Sequence, residues 1–175
     1  IQGLILDIKV GNGTFMKTPQ QGRALAESLV TTGEQMGLKT SALLTDMNQP
    51  LGQMIGNALE VQEAIDLLQG EGPEDLAQLT LALASELLLS SNTASSDEEA
   101  RQLLSEHLSS GRGYEKFIEM VLAQGGDPNA QRPLAAASEV RAACPGNIIS
   151  IDTEQLGVAI IELGGGRHQM NDPVD

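Results

Sequence analysis

Aromatic side chains are nearly missing from this sequence: tryptophan is absent, and Phe15, Tyr114 and Phe117 are the whole complement. That scarcity disfavours stacking platforms for nucleic-acid bases, aromatic belts at a membrane surface and Trp/Tyr-rich protein interfaces. Basic residues are few as well, 10 Lys and Arg against 24 Asp and Glu, for a formal charge of −14. A chain with no basic footprint is not expected to bind nucleic acid. The single cysteine, Cys144, cannot form an internal disulfide, and with only His107 and His168 no zinc set stands at a recognised spacing. A reducing, cytoplasmic compartment is expected. Long apolar runs are lacking: residues 79–89 are broken by Thr80, Ser85 and Glu86, short of the ~20 residues a bilayer span requires. No membrane partner is expected.

What remains is a globular composition. Of 175 residues 41% are apolar and 19% charged, enough for a packed core and too apolar for a disordered acidic tail. The chain opens inside an apolar strand pattern, with no initiator Met, basic n-region or cleavage site, so it is read as an internal fragment.

Leu4, Leu6, Ile8 and Val10 alternate with Ile5, Asp7 and Lys9 in the two-residue period of a strand starting near Gly3. After Gly11-Asn12-Gly13, the run Thr18-Pro19-Gln20-Gln21 supplies an N-cap, a proline at the first helical position and a capping-box glutamine. A helix to about Met36 follows, closed by Gly37, and then a short buried strand over residues 40–44. This strand, helix, strand unit predicts a parallel pair with ligand-binding loops at the carboxyl ends of the strands. Asn57 with Glu60 opens a second helix, Pro73 a third to about Ser90, the capping box Ser96/Glu99 a fourth to about Leu108, and Gly113 a fifth to Gln124. From Gly125 the composition shifts to Gly, Pro, Asn and Ala, a boundary that divides residues 1–125 from 126–175. Extended pieces over 135–143 and 147–151, a helix near 154–162 and a Gly164-Gly165-Gly166 turn complete the chain.

Local motifs alone decide little. Gly11-x-Gly13 lacks the third glycine of a dinucleotide fingerprint, since Met16 stands there, and reads as a turn. No Gly-Lys-Ser/Thr loop and no Gly-x-Ser-x-Gly elbow is present. The glycines before Arg167 suit either a close approach to phosphate or a tight turn. Asp7 and Lys9 share a strand face, as a functional pair or as an ion pair ordering the loop. The turn holding Asp46, Asn48 and Gln49 is either a polar connector with an Asx-turn or a ligand or cation loop.

Longer runs carry a resemblance. Asp7-Ile8-Lys9-Val10-Gly11-Asn12-Gly13-Thr14-Phe15-Met16-Lys17-Thr18, then Ala42-Leu43-Leu44-Thr45-Asp46-Met47-Asn48-Gln49-Pro50-Leu51-Gly52 and Gly56-Asn57-Ala58-Leu59-Glu60-Val61, resemble the thymidine and pyrimidine-nucleoside phosphorylases. Gly70-Glu71-Gly72-Pro73-Glu74-Asp75-Leu76 and Leu163-Gly164-Gly165-Gly166-Arg167 extend the similarity over nearly the whole chain.

The resemblance implies an α/β fold, a mixed or parallel sheet with flanking helices, and after residue 125 the start of a small α+β carboxyl-terminal domain. It implies a pentosyltransferase of pyrimidine salvage: phosphate, as co-substrate, attacks C1′ of a pyrimidine nucleoside to give free base and (deoxy)ribose 1-phosphate. No organic cofactor is implied. Phe15 and Met16 match the family's base-side pair, and Lys9 is a third candidate for substrate binding. Leu51 and Met54, through main-chain carbonyls, and Glu63, through its carboxylate, match positions that hold potassium, although smaller residues are usual where Met54 stands. The family's phosphate loop and its base-binding Arg and Ser/Lys are expected ahead of Ile1, so the fragment alone is expected to be inactive and no catalytic residue is assigned within it. A homodimer is implied for the full-length parent. A non-catalytic binding or scaffold domain on the same α/β core is the alternative, with a phosphoribosyltransferase third because its signatures differ.

Overall fold

The computed structural model describes residues 1, 3–132, 134–167 and 169–171. Two parallel strands, β1 (Gly3–Val10) and β2 (Lys39–Asp46), form the sheet. The helices in the described residues are α1 (Pro19–Gln35), α2 (Asn57–Leu68), α3 (Glu74–Ser90), α4 (Asp97–Ser109), α5 (Arg112–Ala123) and α6 (Thr153–Ile160), the last running into a π turn at Ile161–Gly165. The fold is α/β with a parallel pair, as the strand, helix, strand pattern predicts.

The strands pair with Ile8 beside Leu44, Lys9 beside Thr45 and Val10 beside Asp46. Paired residues of parallel strands share a face, so Leu4, Leu6, Ile8 and Val10 join Thr40, Ala42 and Leu44 on one side of the sheet. Asp7, Lys9 and Thr45 lie on the other. Helix α1 covers the first face at close range: a Cβ on Gly22 would stand 2.4 Å from Val10 Cγ2, and one on Gly33 only 2.1 Å from Thr40 Oγ1. Glycine at these two positions lets the helix backbone rest directly on the sheet. Helix α3 reaches the opposite face, where Lys39 Nζ donates to the Ser90 carbonyl at 2.9 Å. Helix α4 packs on α3, and α5 on α4 and α2.

Local signals set most helix ends. Thr18 Oγ1 accepts from the Gln21 amide, and the Gln21 side chain accepts from the Thr18 amide, with Pro19 just inside the helix. Two element ends and one cap contact differ from expectation in ways the hydrogen bonds explain. β2 runs two residues past Leu44, because Thr45 and Asp46 stay paired with Lys9 and Val10. The N-cap of α2 is Gly56 rather than Asn57, and Glu60 accepts from the Gly56 amide. At α4, Ser96 Oγ caps the Glu99 amide, but the Glu99 carboxylate reaches one residue further back, to the amide and hydroxyl of Ser95.

The described residues between Gly125 and Asp152 form no helix or strand. The pieces expected over 135–143 and 147–151 are therefore irregular, with Val140, Ile148 and Ile149 exposed, since a lone extended segment has no ladder to complete. His168 lies outside the described residues. Among the described residues no helix is long and apolar enough to cross a membrane.

Candidate functional site

At the carboxyl ends of β1 and β2 the chain forms an open cavity of about 700 Å³. Its walls come from the β1–α1 loop (Phe15, Lys17), the β2–α2 loop (Met47, Leu51, Met54), helix α2 (Glu63) and helix α6 (Thr153, Leu156). Lys9 stands on its sheet side. Five of the six candidates for substrate or potassium binding thus meet here: Lys9, Phe15, Leu51, Met54 and Glu63.

Met16 does not line the cavity. It closes the turn, its carbonyl accepting from the Gly11 amide at 2.9 Å and its amide donating to Thr14 Oγ1 at 3.3 Å. Phe15 next to it is 94% exposed, an apolar ring held at the cavity rim and outside the core.

The sheet side of the site is a three-residue network. Lys9 Nζ donates to Asp7 Oδ2 at 2.5 Å and to Thr45 Oγ1 at 3.4 Å, and the Thr45 hydroxyl donates to Asp7 Oδ1. The ammonium of Lys9 is half-buried. The ion pair between Asp7 and Lys9 therefore exists, and one of its members faces the cavity.

The opposite wall is built on carboxylates. Glu63 is only 7% exposed; its Oε1 accepts from the Gln53 amide at 2.8 Å, while Asp75 Oδ2 accepts from the Gly52 amide at 3.0 Å. Two acidic side chains thereby hold the loop by its backbone N–H groups. Among the described residues no Lys, Arg or His forms an ion pair with Glu63, and the carbonyls of Leu51 and Met54 accept no backbone hydrogen bond. A buried carboxylate with no ion-pair partner among the described residues, lining the same cavity as Leu51 and Met54, is a donor that a weakly hydrated monovalent cation can use. Among the described residues no group of three His, Cys, Asp or Glu side chains forms a metal cluster.

The Asp46 turn is a connector. Asp46 Oδ1 accepts from the amide and side chain of Asn48, and Asn48 Oδ1 in turn accepts from the Asn12 amide at 3.0 Å, tying the two loops together. Arg167 does not line the cavity; Gly164 beside it has a φ of +94°, so that run is a turn ending a helix.

Sequence reasoning missed Thr45, placed beyond the strand, and the wall contributed by α6. That helix docks through contacts far apart in the chain: Lys17 Nζ donates to Glu154 Oε2 and to the Asn12 carbonyl, each at 2.8 Å, and the Glu154 amide donates to Asn12 Oδ1 at 3.0 Å. No periodicity or capping signal carries such pairings.

Residues 1–114 match the glycosyl transferase family, a/b domain. The chain belongs to that family. A pyrimidine-nucleoside phosphorylase of Staphylococcus haemolyticus (strain JCSC1435) is 44% identical over 178 aligned positions, and one of Staphylococcus aureus (strain USA300) is 43% identical over 182. Each alignment takes in 98% of this chain and 41% of the relative, so the chain spans about two fifths of the length of the curated relatives it matches. The glycosyl transferase match covers β1 through α4 and the first residues of α5, the part of the chain that supplies every cavity wall except α6.

Proposed function

We propose that this chain is part of a pyrimidine-nucleoside phosphorylase. Phosphate oxygen attacks C1′ of a pyrimidine nucleoside, the bond from C1′ to the base nitrogen breaks, and its electron pair leaves with the base. The products are free base, once protonated, and (deoxy)ribose 1-phosphate. The observation that carries this reading is the meeting of Lys9, Phe15, Leu51, Met54 and Glu63 at one cavity at the carboxyl ends of a parallel pair, in a chain aligned along 98% of its length with enzymes of that name.

In this reaction both phosphate and the departing base carry negative charge. Lys9 supplies a fixed cation at the cavity wall, which stabilises such charge without reorganisation. Phe15, with Met16 behind it in the turn, forms the side against which the base lies. Leu51, Met54 and Glu63 would hold potassium, which would lend positive charge to the site. Residues 1–125 belong to the α/β domain and 126–175 to a linker and the start of a carboxyl-terminal α+β domain. The enzyme is a cytoplasmic homodimer of pyrimidine salvage, with no nucleic-acid or membrane partner, and the 175-residue chain alone does not turn over substrate.

The test is to incubate the full-length polypeptide with thymidine or uridine and phosphate, and to follow free base and sugar phosphate by chromatography. Phosphate-dependent turnover of roughly 1–10³ s⁻¹ is expected. A full-length protein that binds nucleoside without releasing base would be a binding domain instead.

A further inference from the structure

With Lys9 taken as a substrate-binding residue, as proposed above, we infer that Thr45 is a positioning residue that acts through Asp7 to fix the Lys9 ammonium at the cavity wall. Lysine carries its charge on a flexible four-carbon stem, so a well-placed ammonium needs a fixed anchor. Here the anchor is Asp7 Oδ2 at 2.5 Å. A carboxylate on a strand turns about its own side-chain bonds unless its second oxygen is also held. Thr45 holds it: its hydroxyl donates to Asp7 Oδ1, and its oxygen lies 3.4 Å from Lys9 Nζ.

The backbone makes this arrangement rigid. Thr45 is paired directly beside Lys9 across the sheet, and Asp7 precedes Lys9 by two residues on the same face, so all three side chains rise from two hydrogen-bonded strands and from no loop. Thr45 is β-branched, which restricts its χ1 and keeps the hydroxyl in place. Thr14 braces the end of the strand, its hydroxyl donating to the Lys9 carbonyl at 3.2 Å. Thr45 is absent from the cavity lining. Its effect on substrate passes through Lys9.

The experiment uses the full-length enzyme and the variants Thr45→Val, Thr45→Ala, Thr45→Ser, Lys9→Ala and Lys9→Ala/Thr45→Val, with kcat and KM measured separately for phosphate and for nucleoside. Two hydroxyl-free variants are made so that one failing to fold leaves the other. Loss of the hydroxyl is expected to lower kcat/KM by about tenfold to a hundredfold, the scale of a misplaced reacting group. The loss falls on the same parameter, kcat or one KM, as in Lys9→Ala. Thr45→Ser restores most of it, and the double variant is no worse than Lys9→Ala alone. If Lys9→Ala is impaired and the hydroxyl-free variants are not, Thr45 does not position Lys9, while the substrate-binding reading of Lys9 stands. If Lys9→Ala matches wild type, the reading of Lys9 fails and the role of Thr45 with it. Losses that multiply in the double variant would make Thr45 merely structural and overturn the inference.

Discussion

A side-chain carbon on Gly52 would stand 2.3 Å from Oε2 of Glu63, and Gly52 itself has a φ of +71°. The loop and the carboxylate are thus fitted to each other in two ways, by space and by backbone conformation. Replacing Gly52 by Ala is expected to cost about 1–2 kcal/mol for a left-handed non-glycine residue. Displacing the carboxylate from the Gln53 amide adds about 1.5–3 kcal/mol for a charged hydrogen bond. Chemical denaturation of the full-length protein checks this. A cost of no more than about 2 kcal/mol, the backbone part alone, would mean that Glu63 withdraws freely and does not hold the loop.

If Leu51, Met54 and Glu63 hold potassium, the cation stabilises the folded protein by mass action, by about 2.7 kcal/mol at a hundred times its dissociation constant. Replacing potassium with a large organic cation at equal ionic strength is expected to lower both Tm and activity. Glu63→Gln removes the negative charge with little change of shape and abolishes the dependence on potassium. Unchanged Tm and activity on cation exchange would show that these three residues hold no cation.

The parts legible in the sequence are those governed by neighbours along the chain. Thr18, Pro19 and Gln21 encode the start of α1 within four residues, and the capping box forms as read. Alternation of Leu4, Leu6, Ile8 and Val10 with Asp7 and Lys9 assigns both faces of β1 before any partner is known. Where a signal permits two neighbouring solutions the structure can take the other one: Gly56 replaces Asn57 as the N-cap of α2, and the Glu99 carboxylate reaches Ser95 while Ser96 still caps α4. Contacts remote in sequence leave no such mark. Thr45 meets Asp7 across 38 residues and Lys17 meets Glu154 across 137, and neither pairing follows from propensity or spacing. The candidate site was legible through resemblance, and the network behind Lys9 only through the sheet register.

Phe15 is so exposed that its removal uncovers little, and Phe15→Ala is expected to change stability by no more than about 0.5 kcal/mol. Its predicted effect is on nucleoside: KM for nucleoside rises about tenfold, the size of one aromatic contact to a base, while KM for phosphate changes less. Steady-state kinetics with each substrate varied in turn make the comparison. Equal effects on both, or a loss of stability alone, would remove Phe15 from the base side.

Glu99, in the first turn of α4, accepts hydrogen bonds from the hydroxyl and amide of Ser95, which hold its carboxyl below the ordinary value of 4.5, with the hydroxyl the larger cause. A carboxylate whose value is depressed on folding stabilises the folded state above the unfolded value, and that contribution is lost as pH falls through the folded one. The direction of the pH dependence follows. At pH 7 both Ser95→Ala and Glu99→Gln are expected to lower Tm, and Glu99→Gln the more, since Ser95→Ala keeps the backbone amide bond. As pH falls below 4.5 the gap between wild type and Glu99→Gln narrows, because wild-type Glu99 then takes up its proton. The effect is small, as befits an exposed side chain screened by solvent. Melting curves of the full-length protein from pH 7 down to the acid transition give the comparison. A gap that widens toward acid pH would mean that the folded state raises the value for Glu99, and the cap at Ser95 would not be the interaction that holds it.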